Sequence, residues 1–296
     1  MIVITGGTGF VGREVVKQAL ADGHRVRLIV RDAPPARSSA WPDGVEWFHG
    51  NVLYAPSLEG AFAGAKAVVH LVGIINEWKE NTFDRAHRQA TVNVVDAAKR
   101  AGVKRYVHMS ALGTRADARS RYHQTKWAAE EYVRASGLAW TIFRPSLIYG
   151  AQDISTTVLA RMIRRAPFIP VIGAGNTKIQ PVAVEVVAKC FVAALRTDES
   201  IQKVFEVVGP EPLTWNELFD ALQSICGVKK RKLHLPIPVA RLQGALFERL
   251  MPKPPLNREQ VTMAQEDNVG DPRPAERMFL FTQEPFAQGL ARYLQN

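Results

Sequence analysis

Three features of the sequence predict a doubly wound α/β fold: a parallel sheet with helices on both faces, followed by a smaller C-terminal domain. Short β-branched runs alternate with amphipathic segments from residue 1 to about 145. A glycine-rich turn, "ITGGTGFVG", directly follows the first of those runs. After "RPSLIYG", which ends at Gly150, the rhythm changes to shorter elements and frequent prolines. The predicted division is therefore residues 1–150 and 151–296, partly interleaved, with some later elements rejoining the first sheet.

The predicted strands are "IVIT" (2–5), "RVRLIV" (25–30), "VEWF" (45–48), "AVVHLV" (67–72), "RYVHMS" (105–110) and "AWTIF" (139–143). They are rich in residues that suit a pleated, buried surface. Between them, helical periodicity appears near 11–22, 83–101 and 121–136. Further on, "VAVEVVAKCFVAAL" (182–195) reads as a helix and "KVFEVV" (203–208) as a returning strand. "TWNEL" opens a helix with Thr214 and Glu217 at capping-box spacing. No repeat or low-complexity tract interrupts the chain.

Composition narrows the function classes. With 47% hydrophobic and 22% charged residues, the chain can bury a full core. Its longest nearly apolar run, "AVVHLVGII" from Ala67 to Ile75, is far short of the roughly 20 residues a spanning helix needs. The start "MIVITGG" has no basic segment of the kind that opens a cleaved leader, so a cytoplasmic location is expected. Cys190 and Cys226 form neither a disulfide framework nor a metal-ligand spacing, so both are expected to be small buried apolar residues and no metal is expected. A net charge of +10 favours an anionic partner. Nucleic acid is not the expected one, because the basic residues are dispersed apart from "KKRK" (229–232) and lack interleaved aromatics.

The glycine turn carries the first chemistry. Gly6, Gly9 and Gly12 stand after the first strand and at the mouth of the first helix. Glycine is required where a chain turns tightly, where backbone approaches a pyrophosphate, and where helix packs close to strand. The helix N-terminus then offers free N–H groups to phosphate oxygens. At the end of the second strand, where an acidic residue would hold the ribose of NAD, stands Arg31, followed by Asp32. A guanidinium there pairs a 2′-phosphate, so NADP(H) is preferred; with Asp32 on the ribose, NAD(H) is the alternative.

The second chemistry lies in "YHQTK". Tyr122 and Lys126 are four apart and share one helical face. With 6 Tyr in 296 residues, chance yields roughly one such pair in four chains of this composition, so context must decide. Ser110 falls at the carboxyl end of a strand, where ligands of open parallel sheets lie. A tyrosine serves hydride chemistry as acid or base if its pKa is lowered, and a neighbouring ammonium would do so.

The motifs "TGGTGFVG", "VHLVG", "MSALG", "YHQTK" and "FRPSLIYG", in this order, resemble the extended and atypical branch of the short-chain dehydrogenase/reductase superfamily, the NAD(P)-dependent epimerase/dehydratase-like proteins with a Rossmann-type domain. With "PLNREQVTMAQEDN", the sequence looks most like bacterial relatives of the nucleotide-binding accessory subunit of respiratory complex I. The resemblance implies that Gly6, Thr8, Gly9, Phe10, Val11 and Gly12 form the pyrophosphate loop and that Arg31 meets the 2′-phosphate. It implies that Asn51 and Val52 border the adenine, that Leu71, Val72 and Gly73 line the cofactor path, and that Pro145 and Ser146 border the nicotinamide. Ser110, Tyr122 and Lys126 match the family's catalytic triad, Lys126 also holding the nicotinamide ribose. Two departures stand out. Asn51 replaces a common aspartate, and Ser110 lies 12 residues before Tyr122, a shorter interval than in sugar-nucleotide epimerases.

Two classes of function follow from the resemblance. One is an NADP(H)-binding oxidoreductase acting on a small carbonyl or hydroxyl substrate; the other is an accessory or assembly subunit of a respiratory NADH:quinone oxidoreductase, holding NADPH structurally. "KKRK" followed by "VARLQGALFERL" puts a basic strip beside an apolar stripe of Val239, Leu242, Leu246 and Leu250. Such a pair suits an anionic membrane surface on the inner face, or a membrane complex. The stripe is nonetheless expected to pack on its own domain, with the lysines solvated.

Overall fold

Six of the seven strands of the central sheet come from the first half of the chain: β1 (Ile2–Thr5), β2 (Val26–Val30), β3 (Val45–His49), β4 (Ala67–His70), β5 (Arg105–Met109) and β6 (Ala139–Pro145). The computed structural model describes residues 1–32, 41, 44–151, 153, 155–252 and 254–294. The seventh strand, Lys203–Val207, pairs in parallel with β6. The order is Lys203–Val207, β6, β5, β4, β1, β2, β3, and every neighbour pair is parallel. Parallel strands require crossovers, and the helices that supply them cover both faces. Each inner strand is therefore apolar on both sides: Val3 and Ile4 are both fully buried although they point to opposite faces.

On one face lie α1 (Phe10–Ala21) and α5 (Val184–Ala194), whose Val15, Val16, Val187 and Phe191 join Ile4, Leu28 and Phe143 in one core. On the other lie α2 (Ala90–Arg100), preceded by a π-helical turn at Asp84–Gln89, and α3 (Arg121–Arg134). There Val94, Val95 and Val133 cover Val3, Val68, Tyr106 and Ile142. Full burial of each such side chain contributes about 1.5–3 kcal/mol. Cys190 belongs to the first core and is fully buried, whereas Cys226 is half-exposed, so only the first fits the expectation of a buried apolar residue.

A third core gathers Ile163 of α4 (Ser155–Arg165), Leu218 and Leu222 of α6 (Trp215–Ile225), and Phe286 and Leu290 of α10 (Phe286–Leu294). The expected capping box opens α6: Thr214 Oγ1 accepts from the Glu217 N–H at 3.1 Å, and Glu217 Oε2 accepts from the Thr214 N–H at 2.7 Å.

Two sequence expectations need correction. The run 67–72 leaves the sheet at His70, because Leu71 and Val72 turn across the loop after β1. The stripe of α7 (Ile237–Leu250) does not pack on its own domain: Val239, Leu242, Leu246 and Leu250 are 50%, 74%, 55% and 65% exposed. Small residues supply the reason. α7 buries Ala240 and Gly244 instead, and a Cβ at Gly244 would stand 3.0 Å from the Asn257 carbonyl carbon. This close backbone approach fixes α7 against α8 (Arg258–Met263) and turns the leucines outward.

Candidate dinucleotide and catalytic site

The chain reverses its order of strand placement at β1, which pairs with β2 on one side and with β4 on the other. In open parallel sheets this switch point leaves a crevice beyond the strand carboxyl ends. Here the crevice is bounded by the loops after β1 and β4. Gly6 has φ of +75°, and a Cβ there would lie 3.1 Å from both the Leu71 carbonyl carbon and the Val72 nitrogen. At Gly12 a Cβ would fall 2.2 Å from the Gly6 oxygen. No side chain larger than hydrogen fits at that position without displacing the loop.

Gly9 caps α1 without a side-chain hydrogen bond, and its own N–H donates to Gly6 O at 3.0 Å. The first turn thus keeps backbone donors for an anion. Thr8 and Gly9 are exposed, Phe10 is half-buried, and Val11 and Gly12 are buried under the loop. The cradle fits a pyrophosphate in both shape and donor chemistry.

The other sequence-predicted residues lie at the same edge. Arg31 is exposed immediately after β2. Asn51, after β3, accepts from the Leu53 N–H at 3.0 Å, and its own N–H donates to Ser57 Oγ at 2.8 Å, so it shapes its turn; Val52 is buried beside it. Leu71, Val72 and Gly73 form the loop after β4, and Pro145 and Ser146 end β6. Ser146 Oγ donates to Asn268 Oδ1 at 2.8 Å, and Asn268 Nδ2 donates to Leu112 O at 3.0 Å. Asn268 closes the stretch "PLNREQVTMAQEDN", but its contact with Ser146 was not foreseen.

The triad residues converge less closely. Ser110 is buried after β5, its hydroxyl donating to Thr114 Oγ1 at 3.4 Å, and Thr114 Oγ1 lies 3.3 Å from His123 Nδ1. Ser120 caps α3 by accepting from the His123 N–H. At the second residue of α3, the Tyr122 ring packs edge-on against Phe83, His87 and His123 at 5.8, 5.0 and 5.1 Å. Lys126 is buried, its ammonium donating to Met109 O at 3.0 Å. That ammonium would stand 3.0 Å from a Cβ at Gly73, so the bare backbone of the glycine makes room for it.

The electrostatics differ from expectation. Burial pushes the Tyr122 phenol up to about 12, with no compensating charge from Lys126. Burial also lowers Lys126 to about 8, partly offset by Glu130 one turn further along. In this geometry burial outweighs any lowering of the phenol by the Lys126 ammonium, which is bonded to the Met109 carbonyl.

Sequence reading also missed His87, which joins α3 to the loop after β4: Nδ1 lies 2.9 Å from Thr125 Oγ1 and Nε2 3.1 Å from Ile74 O. Thr125 and His123 stand inside "YHQTK" itself, but only the fold reveals what they touch. Beneath them runs a buried row in which Thr5 Oγ1 lies 2.6 Å from His70 Nδ1 and His70 stacks on His108 at 5.5 Å. His70 Nε2, both His108 nitrogens and the Tyr106 hydroxyl have no hydrogen-bond partner among the described residues.

A family model described as NAD(P)H-binding matches residues 6–198, about two-thirds of the chain and all the loops just described. The chain belongs to this NAD(P)H-binding family. Within it, the chain is an extended short-chain dehydrogenase/reductase-like protein related to the accessory subunit of complex I. It is 31% identical to a ceramide reductase of Caulobacter vibrioides, over 84% of this chain and 77% of that protein. It is also 31% identical to NADH dehydrogenase [ubiquinone] 1 alpha subcomplex subunit 9 of Arabidopsis thaliana, over 85% of this chain but only 64% of that longer protein. Among solved structures, a UDP-glucose 4-epimerase of Thermotoga maritima shares the fold at 18% identity, with a TM-score of 0.78 over 99% of this chain and 97% of that one. A family member of this kind binds NAD(P)H and falls among oxidoreductase-like proteins, with a Rossmann fold shared with the epimerase.

Proposed function

We propose that the chain is an NADPH-dependent reductase of a carbonyl substrate, with Tyr122 as the proton donor. The single observation that carries this reading is the placement of Tyr122 and Lys126 on one face of α3, with the Lys126 ammonium buried beside Gly73 at the switch-point crevice. Gly6, Thr8, Gly9, Phe10, Val11 and Gly12 would hold the pyrophosphate, Arg31 the 2′-phosphate, and Asn51 and Val52 the adenine. Lys126 would hold the nicotinamide ribose, with Leu71, Val72, Gly73, Pro145 and Ser146 along the path. When bound, the dinucleotide supplies a hydride.

The chain's own residues supply the proton and the orientation. A phenol raised to about 12 stays protonated at neutral pH, so Tyr122 is poised to give its Oη proton to an oxygen that gains charge. This direction suits reduction better than oxidation, which needs the phenolate. Ser110, whose hydroxyl donates to Thr114 Oγ1 in this structure, would turn that proton to the accepting oxygen when substrate binds, leaving Thr114 to its contact with His123. Phe83 and His87 pack the tyrosine ring so that its rotamer is set before substrate arrives. The reductase named among the relatives supports the same class of reaction.

The test is NADPH consumption against a panel of carbonyl compounds, with dinucleotide binding followed separately by fluorescence. Tyr122→Phe should lower turnover by about a hundredfold or more with binding retained. An unaltered rate would remove Tyr122 from the mechanism.

A second reading, a non-catalytic subunit of a respiratory NADH:quinone oxidoreductase with NADPH as a structural ligand, is favoured by the likeness to the Arabidopsis subunit. Native electrophoresis of gently solubilised source cells separates the two. Co-migration with a large respiratory assembly supports the subunit, and a monomer or small oligomer supports the enzyme.

A further inference from the structure

The exposed stripe of α7 is the largest feature the site does not use. Val239, Leu242, Leu246 and Leu250 recur at helical spacing on one face, and exposed Met251 continues it. Each residue is at least 43% exposed. A monomer rarely leaves such a row bare without a partner for it. Charge identifies the partner. Arg249 follows Leu242 by seven residues, so shares its face, and is exposed. The strand that leads into α7, Lys232–Leu235, exposes Leu233 and follows exposed Lys229 and Arg231 in a chain of net charge +10.

A helix of 14 residues is about 21 Å long and cannot cross a bilayer, and no described helix is long and apolar enough to do so. An apolar row edged by a cation is, however, the pattern of a helix that lies in the lipid headgroup region. We infer that α7 docks this protein onto an anionic bilayer, its leucines in the acyl boundary and Arg249, with Lys229 and Arg231 of the segment before it, on the headgroups.

The back of α7 relates this surface to the site. Gly244 rests on the Asn257 backbone, and Asn257 Nδ2 donates to Ile75 O at 2.8 Å, in the loop after β4. At the far end of α8, Glu266 pairs with Arg115 at 2.8 Å, in the loop after β5. The α7–α8 hairpin is thus tied to the loop after β4, which borders the crevice, and to the loop after β5, and docking would bring the rim of the crevice to the lipid surface. The inference rests on exposure and charge, and stands whether or not Tyr122 is catalytic.

Co-sedimentation of the full chain with phosphatidylcholine vesicles, with and without about one-quarter phosphatidylglycerol, tests it. The anionic vesicles should bind the protein, the neutral ones far less, and salt raised to about 0.5 M should weaken the binding. Leu242→Asp with Leu246→Asp should reduce binding about tenfold or more while dinucleotide binding is kept, since both positions are already exposed. As a check independent of that variant's folding, a nitroxide on Leu246→Cys, in a Cys226→Ser background, should become accessible to oxygen and shielded from a polar relaxant when vesicles are added. Undiminished binding by the aspartate variant, no vesicle binding by the parent chain, or self-association abolished by the aspartates would each overturn the inference, the last by making a second copy the occupant.

Discussion

The Lys126 ammonium donates to the Met109 carbonyl oxygen at 3.0 Å, joining the middle of α3 to the carboxyl end of β5 from a fully buried position. Desolvation lowers this lysine to about 8, so its folded-state pKa lies below the unfolded value of about 10.5. The sign follows from linkage. Below about pH 8 the charged form is buried at a constant penalty, and stability rises as pH increases from about 8 to about 10.5. Lys126→Met should therefore stabilise the ligand-free protein by roughly 1–3 kcal/mol at neutral pH, while weakening dinucleotide binding. Thermal melts with and without NADPH check both halves, and a lower melting temperature for the ligand-free variant would show that the Met109 bond outweighs the burial penalty.

Gly12→Ala places a methyl group 2.2 Å from Gly6 O, against backbone that has nowhere to retreat. Overpacking of this kind destabilises by about 1–3 kcal/mol. The larger effect should be on the ligand, with affinity for NADPH lowered more than about tenfold as the loop is pushed from its donor geometry. Titration by nucleotide fluorescence measures it.

Arg31→Ala should weaken NADPH by about tenfold to a hundredfold and NADH by little, because the only group the guanidinium distinguishes is the 2′-phosphate. Parallel titrations with the two dinucleotides decide it. Equal losses would assign Arg31 to the shared part of the molecule.

Burial lowers His70 to about 3 and His123 to about 4, and holds His87 and His108 well below their ordinary range. A histidine held neutral in the fold but free to protonate when unfolded contributes full stability above about pH 6.5, and loses it as pH falls through that value. Denaturant melts should show stability dropping by up to about 1.4 kcal/mol per pH unit for each such residue below about 6.5. His70→Gln should flatten the slope, and an unchanged slope would place the acid sensitivity elsewhere.

Much of this was readable from residue order. Strand β1, the turn with Gly6, Gly9 and Gly12, and helix α1 follow from local rules, because tight turns and helix ends are set by a few adjacent residues. The capping box at Thr214 is local in the same way. What escaped is what depends on distant partners. The Asn268–Ser146 bond spans 122 residues, and His87 meets Thr125 only after two helices pack. The α7 stripe is legible as periodicity, but which face turns inward was decided by the closeness of Gly244 to Asn257, and periodicity says nothing of that.

The aromatic knot under β6 has a consequence for how the protein is made. Phe143, in the middle of β6, packs against Phe205 at 5.9 Å and Phe279 at 5.3 Å, and Phe205 against Phe279 at 5.0 Å. During synthesis β6 waits with an open edge while about 60 further residues are added before Lys203–Val207 can pair with it, and the Phe143 ring waits more than a hundred for Phe279. The nascent chain therefore carries an unpaired sheet edge through about a fifth of its translation, and a holdase that shields it should raise the yield of folded protein.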